Sequence, residues 1–218
     1  MWSVVEICNI ALAGIRGKSI NALTEASLEA QQCKLHYDLA RKFVLKDTDW
    51  QFARKIVPLA LSSIEPLHWV YAYAYPGDCL HIRHVTGDFA FKNQIDTEFA
   101  NRLRYIDQYI EPELSVPYEI QNDGADNKII ACDQADAYVI YTRNVTNTTL
   151  FDSQMVTALA QYLGSMIAIP IMGGDIGRAM RKEALELYAR TLSSAIASNM
   201  NEQRQPKRRE PSLVTMRK

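Results

Sequence analysis

The chain of 218 residues is 48% apolar and 22% charged, with 9 glycines and 8 prolines, which is close to the composition of an average globular protein. This composition excludes a disordered, collagen-like or disulfide-scaffold chain, and the length suits one domain or one domain with an insertion. The formal charge of −1 gives no overall basic field that would favour nucleic acid or an anionic membrane.

The charge is unevenly distributed along the chain. Residues 201–218 contain six basic and two acidic side chains, whereas the body contains 18 basic and 23 acidic ones. Pro206 and Pro211 exclude a continuous helix here, so we expect an extended arm. The arm has three possible roles: a solubilising terminus, a segment that binds nucleic acid, or a segment that docks on a partner protein. The apolar residues that follow the charged ones favour docking. The candidate docking residues are Arg204, Lys207, Arg208, Arg209, Leu213, Val214 and Met216.

Apolar spacing predicts two helices near the start of the chain. The first covers residues 4–13, which lack the basic leader of a signal peptide. No segment reaches the ~20 consecutive apolar residues of a membrane span. The second helix is predicted to begin after Thr24 as N-cap and to run to about Lys46. Its apolar positions follow the 3.6-residue period typical of a core-facing stripe: Leu28, Leu35, Leu39 and Phe43, with Ala40 and Val44 beside them.

The middle of the chain has a period of two from Ile56 onwards, which is typical of strands. For residues 97–109 the pattern allows two predictions, a helix or a polar excursion of the sheet. The predicted strands are 69–75, 79–85, 129–132 and 137–143. This part is therefore predicted to be a small, mostly antiparallel β region.

Helical spacing returns after Asp152, a plausible N-cap. Pro170 is predicted to end this helix, and Asp175 to cap a last helix that runs to about Asn199. The predicted inward residues are Val156, Leu159, Leu163 and Ile167 in the first of these helices and Met180, Ala184, Leu187 and Ile196 in the second.

Together these elements predict an α+β fold that is mainly α: an antiparallel four-helix bundle with an inserted small antiparallel β region and an extended C-terminal arm. The predicted divisions are the N-terminal half of the helical bundle (1–55), a β-rich insert or platform (56–147), the C-terminal half of the bundle (148–200) and the basic arm (201–218).

The sequence carries no motif of a nucleotide loop, a dinucleotide fold, a hydrolase elbow or a zinc protease. Cys79, His81 and His84 lie close in sequence, but a strand turns His84 to the opposite face, so we expect no metal site. No cofactor is expected either. Two acidic pairs, at 111 and 113 and at 123 and 126, lie in polar turns and are a weak glycosidase signal.

An aromatic run places Trp69, Tyr71, Tyr73 and Tyr75 on one face of a strand. Stacking platforms for single-stranded nucleic acid interleave basic residues, and this run has none. An apolar core or a subunit interface is therefore the better interpretation. Trp50 and Phe52 are further candidates for structural or interface residues.

Several stretches, in this order and spacing, resemble the head-to-tail adaptors of short-tailed bacteriophages, the tail tubular protein A family. The match spans about residues 4–200, and residues 89–117 match nothing in that family. The last helix, 184–199, is also similar in type. The resembling stretches are ICNIALA (7–13), EAQQCKLHYDLAR (29–41), DWQFA (49–53), YAYPGDCL (73–80) and AYVIYT (137–142).

The resemblance implies a structural virion protein of the tail or neck, assembled in the host cytoplasm, with no catalytic residues and no membrane partner. Such adaptors form a ring, expected to be a dodecamer, beneath the portal protein. The ring extends a channel for non-specific passage of double-stranded DNA and is a platform for the tail nozzle protein, tail tubular protein B, and the tail fibres. The C-terminal arm is expected to dock on the portal. Two alternatives stay open: a tail-associated glycan or peptidoglycan hydrolase, and a basic-armed nucleic-acid-binding protein.

Overall fold

The computed structural model describes residues 2–87 and 115–202, with side chains described as far as residue 198. The chain divides into two compact units. Among the described residues, the first unit takes those of Met1–Val57, Pro76–Arg83 and Ile140–Asn199, and the second takes those of Pro58–Tyr75 and His84–Val139.

Helix α1 (Val4–Gly14) begins at a capping box. The Ser3 hydroxyl accepts a 3.2 Å hydrogen bond from the Glu6 backbone N–H, and the Glu6 carboxylate accepts a 2.7 Å bond from the Ser3 N–H. Two N–H groups that the helix leaves unpaired are thereby satisfied. The buried residues are Ile7, Cys8, Ala11 and Leu12, which lie on one face of the predicted helix.

Helix α2 (Leu28–Asp47) begins after Ser27 and not after Thr24. The Ser27 hydroxyl accepts a 3.3 Å hydrogen bond from the Ala30 N–H. The Glu25 carboxylate accepts bonds from the N–H groups of Asn21 and Ala22, at 2.6 and 3.0 Å. These bonds hold the preceding residues in a turn, and the helix therefore starts later than predicted.

Helices α3 (Ser153–Met172) and α4 (Gly174–Glu202) are joined by Gly173. The predicted N-cap of α3 is confirmed, because the Asp152 carboxylate accepts a 2.6 Å bond from the Met155 N–H. Pro170 does not end α3, which continues until the Gly173 N–H closes on the Ile169 carbonyl at 2.9 Å. The positive φ of 67° at Gly173 then lets the chain turn at once into α4.

Within residues 2–87 and 115–202, six strands form two antiparallel sheets of three strands each. The first sheet has the order β1-β6-β3, and the second has the order β2-β5-β4. In the second sheet Tyr73 and Ile120 both pair with Ile130, on opposite sides of β5. The strands are β1 (Arg54–Pro58), β2 (Tyr71–Ala74), β3 (Cys79–Thr86), β4 (Tyr118–Asn122), β5 (Lys128–Cys132) and β6 (Tyr138–Arg143).

The core of the first unit forms where α1 and α2 pack against α3. Helix α3 is long and apolar enough to cross a membrane, but more than half of its apolar stretch is buried within the protein, as expected for a core helix. Its predicted inner stripe, from Val156 to Ile167, is buried throughout. Trp50 and Phe151 extend this core beyond the helices.

The predicted fold class, a mainly helical four-helix bundle, is wrong. The part of the chain that the structure describes has four helices and two three-stranded sheets, with about 48% helix and 20% strand. The prediction missed β1 and β4, because each has five residues with mostly exposed side chains and thus little apolar alternation. With these strands the β regions form two sheets, and the protein is not built around a helical bundle.

Candidate functional site

An exposed apolar stripe runs along α2. Leu28, Leu35, Leu39 and Phe43 are 47%, 68%, 59% and 43% exposed, respectively. At 100° per residue the three leucines lie within roughly 40° of one another on the helix. We call these four residues the α2 stripe. The sequence places them at helical spacing, as predicted, but they face away from the core.

The opposite face of α2 is buried and consists mostly of small side chains, which let the helix approach α3 closely. Its buried residues are Ala30, Cys33, Ala40, Arg41, Val44 and Leu45. Helix α2 is therefore apolar on two opposite sides, and the residues that the structure describes cover one of them. An exposed apolar face of this kind is a candidate surface for contact with another protein.

Buried Arg41 fixes the rotation of α2. Its guanidinium donates hydrogen bonds to Asn144 Oδ1 at 2.7 Å and to the Val145 carbonyl at 2.5 Å. It also pairs with Asp38 at 2.6 Å. Hydrogen bonds from Lys42 and then Arg41 hold the pKa of Asp38 below its ordinary value. Rotating α2 so that the α2 stripe faced the core would break these contacts of Arg41. The contacts therefore keep the stripe on the outward side of the helix.

An aromatic stack anchors the C-terminal end of the α2 stripe. The Phe43 ring lies parallel to the Tyr162 ring of α3, with centroids 4.3 Å apart. Tyr162 in turn lies 5.2 Å from the ring of Tyr188 in α4. The stripe is thus held on a rigid support, which favours recognition because little side-chain freedom remains to be lost.

Helix α4 presents a second surface in the same unit. Its buried residues among 174–198 are Gly177, Ala184, Tyr188 and Ala195, which form one line along the helix. Leu187 and Ile196, predicted to face inward, are exposed. Beside the buried line lies a shallow depression of about 430 Å³. We call its lining residues the α4 face: Arg178, Arg181, Lys182, Leu185, Glu186 and Ala189.

Two of the aromatic candidates, Trp50 and Phe52, lie in the first unit. Trp50 is fully buried, and its indole N–H donates a 2.9 Å hydrogen bond to the Val44 carbonyl. Phe52 packs between Trp50 and Phe151, with centroid distances of 6.0 and 5.6 Å. Both side chains therefore support the packing behind α2.

The other aromatic candidates lie in the second unit. Tyr73 is buried, and its hydroxyl donates a 2.6 Å bond to the Gln134 carbonyl. The Tyr71 ring lies 6.3 Å from the Tyr73 ring. Tyr75 is half-buried, with the Lys128 ammonium 5.5 Å from its centroid. This cation comes from the neighbouring strand and not from the aromatic run.

Trp69 belongs to a loop that is clamped onto β4 in the second unit. Its indole N–H donates a 2.8 Å bond to the Glu119 carboxylate, and this bond lowers the pKa of Glu119. The Gln121 amide binds both the N–H and the carbonyl of Leu67, at 3.3 and 3.1 Å. The clamp leaves the Leu67 and Val70 side chains about two-thirds exposed and presents a second apolar surface.

The predicted docking residues, from Arg204 to Met216, lie outside the described residues, as do Glu111 and Glu113, whereas residues 201 and 202 of the predicted arm belong to α4. Asp123 accepts bonds from the backbone N–H groups of Ala125 and Asn127, at 2.7 and 3.0 Å. These bonds, after the one from the Asn127 side chain, lower the pKa of Asp123, whereas a general acid needs a raised one.

In the part of the chain that the structure describes, no group of three or more His, Cys, Asp or Glu side chains is placed to hold a metal ion. Burial, followed by the charges of Arg83 and Lys46, lowers the pKa of His81.

No protein-family model matches the chain, and no curated protein sequence matches it.

Proposed function

We propose that this protein is a structural head-to-tail adaptor of a short-tailed bacteriophage. Copies assemble as a ring beneath the portal protein, extend the DNA channel and carry the tail nozzle and fibres. The ordered sequence stretches that resemble such adaptors support this function. The structural observation that carries it is the α2 stripe, because a helix with two apolar faces requires a second protein surface.

The energetics favour assembly over solvation of the stripe. Complete burial of a leucine side chain stabilises by about 1.5–3 kcal/mol, so covering three leucines that are 47–68% exposed contributes a few kcal/mol per copy. In a ring each subunit uses one patch to contact a different patch on the next subunit, and the same contact repeats until the ring closes.

Charge and exposed apolar side chains suggest which parts of the chain meet the portal, the nozzle and fibres, and the DNA. The basic arm binds the portal through its arginine and lysine side chains and its apolar end. The clamped Trp69 loop, with exposed Leu67 and Val70, is part of the platform for the nozzle and fibres. A body with more acidic than basic residues does not retard passing DNA.

Negative-stain electron microscopy of the full chain mixed with purified portal rings tests this function. The expected particles are portals that carry an additional ring at one end. A chain lacking residues 201–218 should keep its fold but leave the portals bare. Solitary protein and bare portals with the full chain would contradict the proposal, and so would turnover of purified peptidoglycan or capsule.

A further inference from the structure

We infer that the subunit contact is formed by the α2 stripe of one copy and the α4 face of the next copy, with the two helices parallel. This inference rests on the proposed function, whose self-assembly it describes in detail. Both surfaces belong to the first unit, and both lie outside the core of their own chain.

The two helices carry the same spacing of seam positions. In α2 the positions are 28, 32, 35 and 39, and in α4 they are 178, 182, 185 and 189. Steps of four, three and four residues alternate in the seam of two packed helices. Leucines occupy three of the α2 positions, whereas α4 has Leu185 and the small Ala189 at its third and fourth.

The residues that line the α4 face have the spacing that such a seam requires. A helix receives a knob in a hole formed by residues i, i+3, i+4 and i+7. The lining residues form two such holes in succession, one from Arg178 to Leu185 and one from Lys182 to Ala189. In this register Leu35, the most exposed residue of the α2 stripe, lies opposite Leu185 and over the second of these holes.

Charge sets the direction of the pairing. Arg178, Arg181 and Lys182 place cations toward the N-terminal end of the α4 face, where Arg178 pairs with Asp175, and the carboxylate of Glu186 lies further along. The first turn of α2 has the carboxylate of Glu29, and the C-terminal part of the helix has Lys42 and Lys46. Parallel helices therefore bring opposite charges together. Antiparallel helices would place the two α2 lysines beside the α4 cations.

The contact joins two different faces, so it is heterologous and propagates from copy to copy. A symmetric pairing of two α2 stripes would instead close after two copies and leave the α4 face uncovered. The inferred pairing thus explains both exposed surfaces with one contact and is compatible with a ring.

Cysteine cross-linking in the full chain, in the presence of portal rings, tests the pairing. One preparation carries Leu39→Cys and another carries Ala189→Cys, and a short bismaleimide is added to each and to their mixture. Peptide mapping by mass spectrometry separates the new cross-link from any product of the native cysteines. We expect the 39–189 cross-link in the mixture and neither a 39–39 nor a 189–189 product in the single variants.

A matched control pair, Leu28→Cys and Ile196→Cys, tests the direction. In the parallel register Leu28 lies opposite Arg178, roughly 27 Å along the helix from Ile196, so no cross-link should form. A 28–196 product, or a 39–39 product, would overturn the inference. Rings on portals without a 39–189 product would overturn the inference alone, whereas the absence of any assembly would overturn the proposed function as well.

Discussion

The Tyr188 hydroxyl of α4 donates a 2.6 Å hydrogen bond to Asp47 Oδ2 at the end of α2. Burial, followed by this hydrogen bond, raises the pKa of the Tyr188 phenol. Because the Tyr188 ring also packs on Tyr162, which stacks on Phe43, one short chain of contacts joins α2, α3 and α4. The two surfaces assigned to subunit contact are therefore held on one rigid support.

Tyr188→Phe should lower the free energy of unfolding by about 1–2 kcal/mol, because it removes a hydrogen bond to a carboxylate and keeps the ring. Urea denaturation at neutral pH measures the loss. Tyr162→Phe is the matched control, since it keeps a ring of the same stack and leaves the bond to Asp47 intact. Equal losses for the two variants would show that the Tyr188–Asp47 bond contributes nothing specific.

The stability of the first unit should fall at alkaline pH through Tyr141. Its hydroxyl donates a 2.6 Å bond to Asp78 Oδ1, whose other oxygen pairs with Lys55 at 2.9 Å. Burial, followed by the bond to Asp78, raises the pKa of Tyr141 from 10.0 to about 12. The unfolded chain thus loses this proton first. The stabilisation is complete below pH 10 and is lost between pH 10 and about 12.

Measuring the free energy of unfolding from neutral to alkaline pH checks this linkage. Tyr141→Phe should make the alkaline decline shallower. It should leave the contribution of Tyr188 in place, since that phenol also has a raised pKa. An unchanged slope in Tyr141→Phe would show that Tyr141 ionises alike in the folded and unfolded chain.

Arg41→Ala should destabilise the protein by about 2–4 kcal/mol, because it removes a buried cation and leaves Asn144 and the Val145 carbonyl without their donor. Lys42→Ala is the control on the same helix. Lys42 pairs with Asp38 at the surface, so its loss should cost at most about 1 kcal/mol. Chemical denaturation of both variants makes the comparison, and an Arg41→Ala loss no larger than the control would refute the role of Arg41.

Gly177 is a position where α4 approaches the end of α3 closely. A Cβ atom there would lie 2.9 Å from the Ile169 Cα and 3.0 Å from the Ala168 carbonyl oxygen. Gly177→Ala should therefore destabilise, even though alanine in a helix is intrinsically better by about 1 kcal/mol. Gly14→Ala is the control, because nothing lies within 4 Å of its Cβ position. Thermal unfolding should show a lower midpoint for the first variant and an equal or higher one for the second.

The sequence identifies α1 and α3 well, because each buries the face that its apolar spacing marks. It misleads for α2, where the leucines mark the outward face and small residues with Arg41 form the inward one. Apolar periodicity alone cannot tell a face that meets the core from a face that meets another protein. The depression on α4 was also missed, since its shape depends on which helix side is covered.

In the second unit, too, local sequence pattern predicts some of the strands and not others. The strands β2 and β5 were predicted from their aromatic and β-branched residues. In contrast, β4 contributes Ile120 as its one strongly apolar aliphatic residue, and its place at the sheet edge follows from pairing with β5. Such pairing between distant segments is set by tertiary contact and not by local pattern.

Sedimentation velocity of Leu35→Glu beside the unaltered chain, each with portal rings, tests most directly whether the α2 stripe is an assembly surface. Since Leu35 is 68% exposed, the variant should unfold within about 0.5 kcal/mol of the unaltered chain. We expect the unaltered chain to sediment as a large complex and the folded variant to sediment as a single copy, because a buried unpaired carboxylate opposes the contact. Equal complexes formed by both proteins would contradict the assignment of α2 to subunit contact.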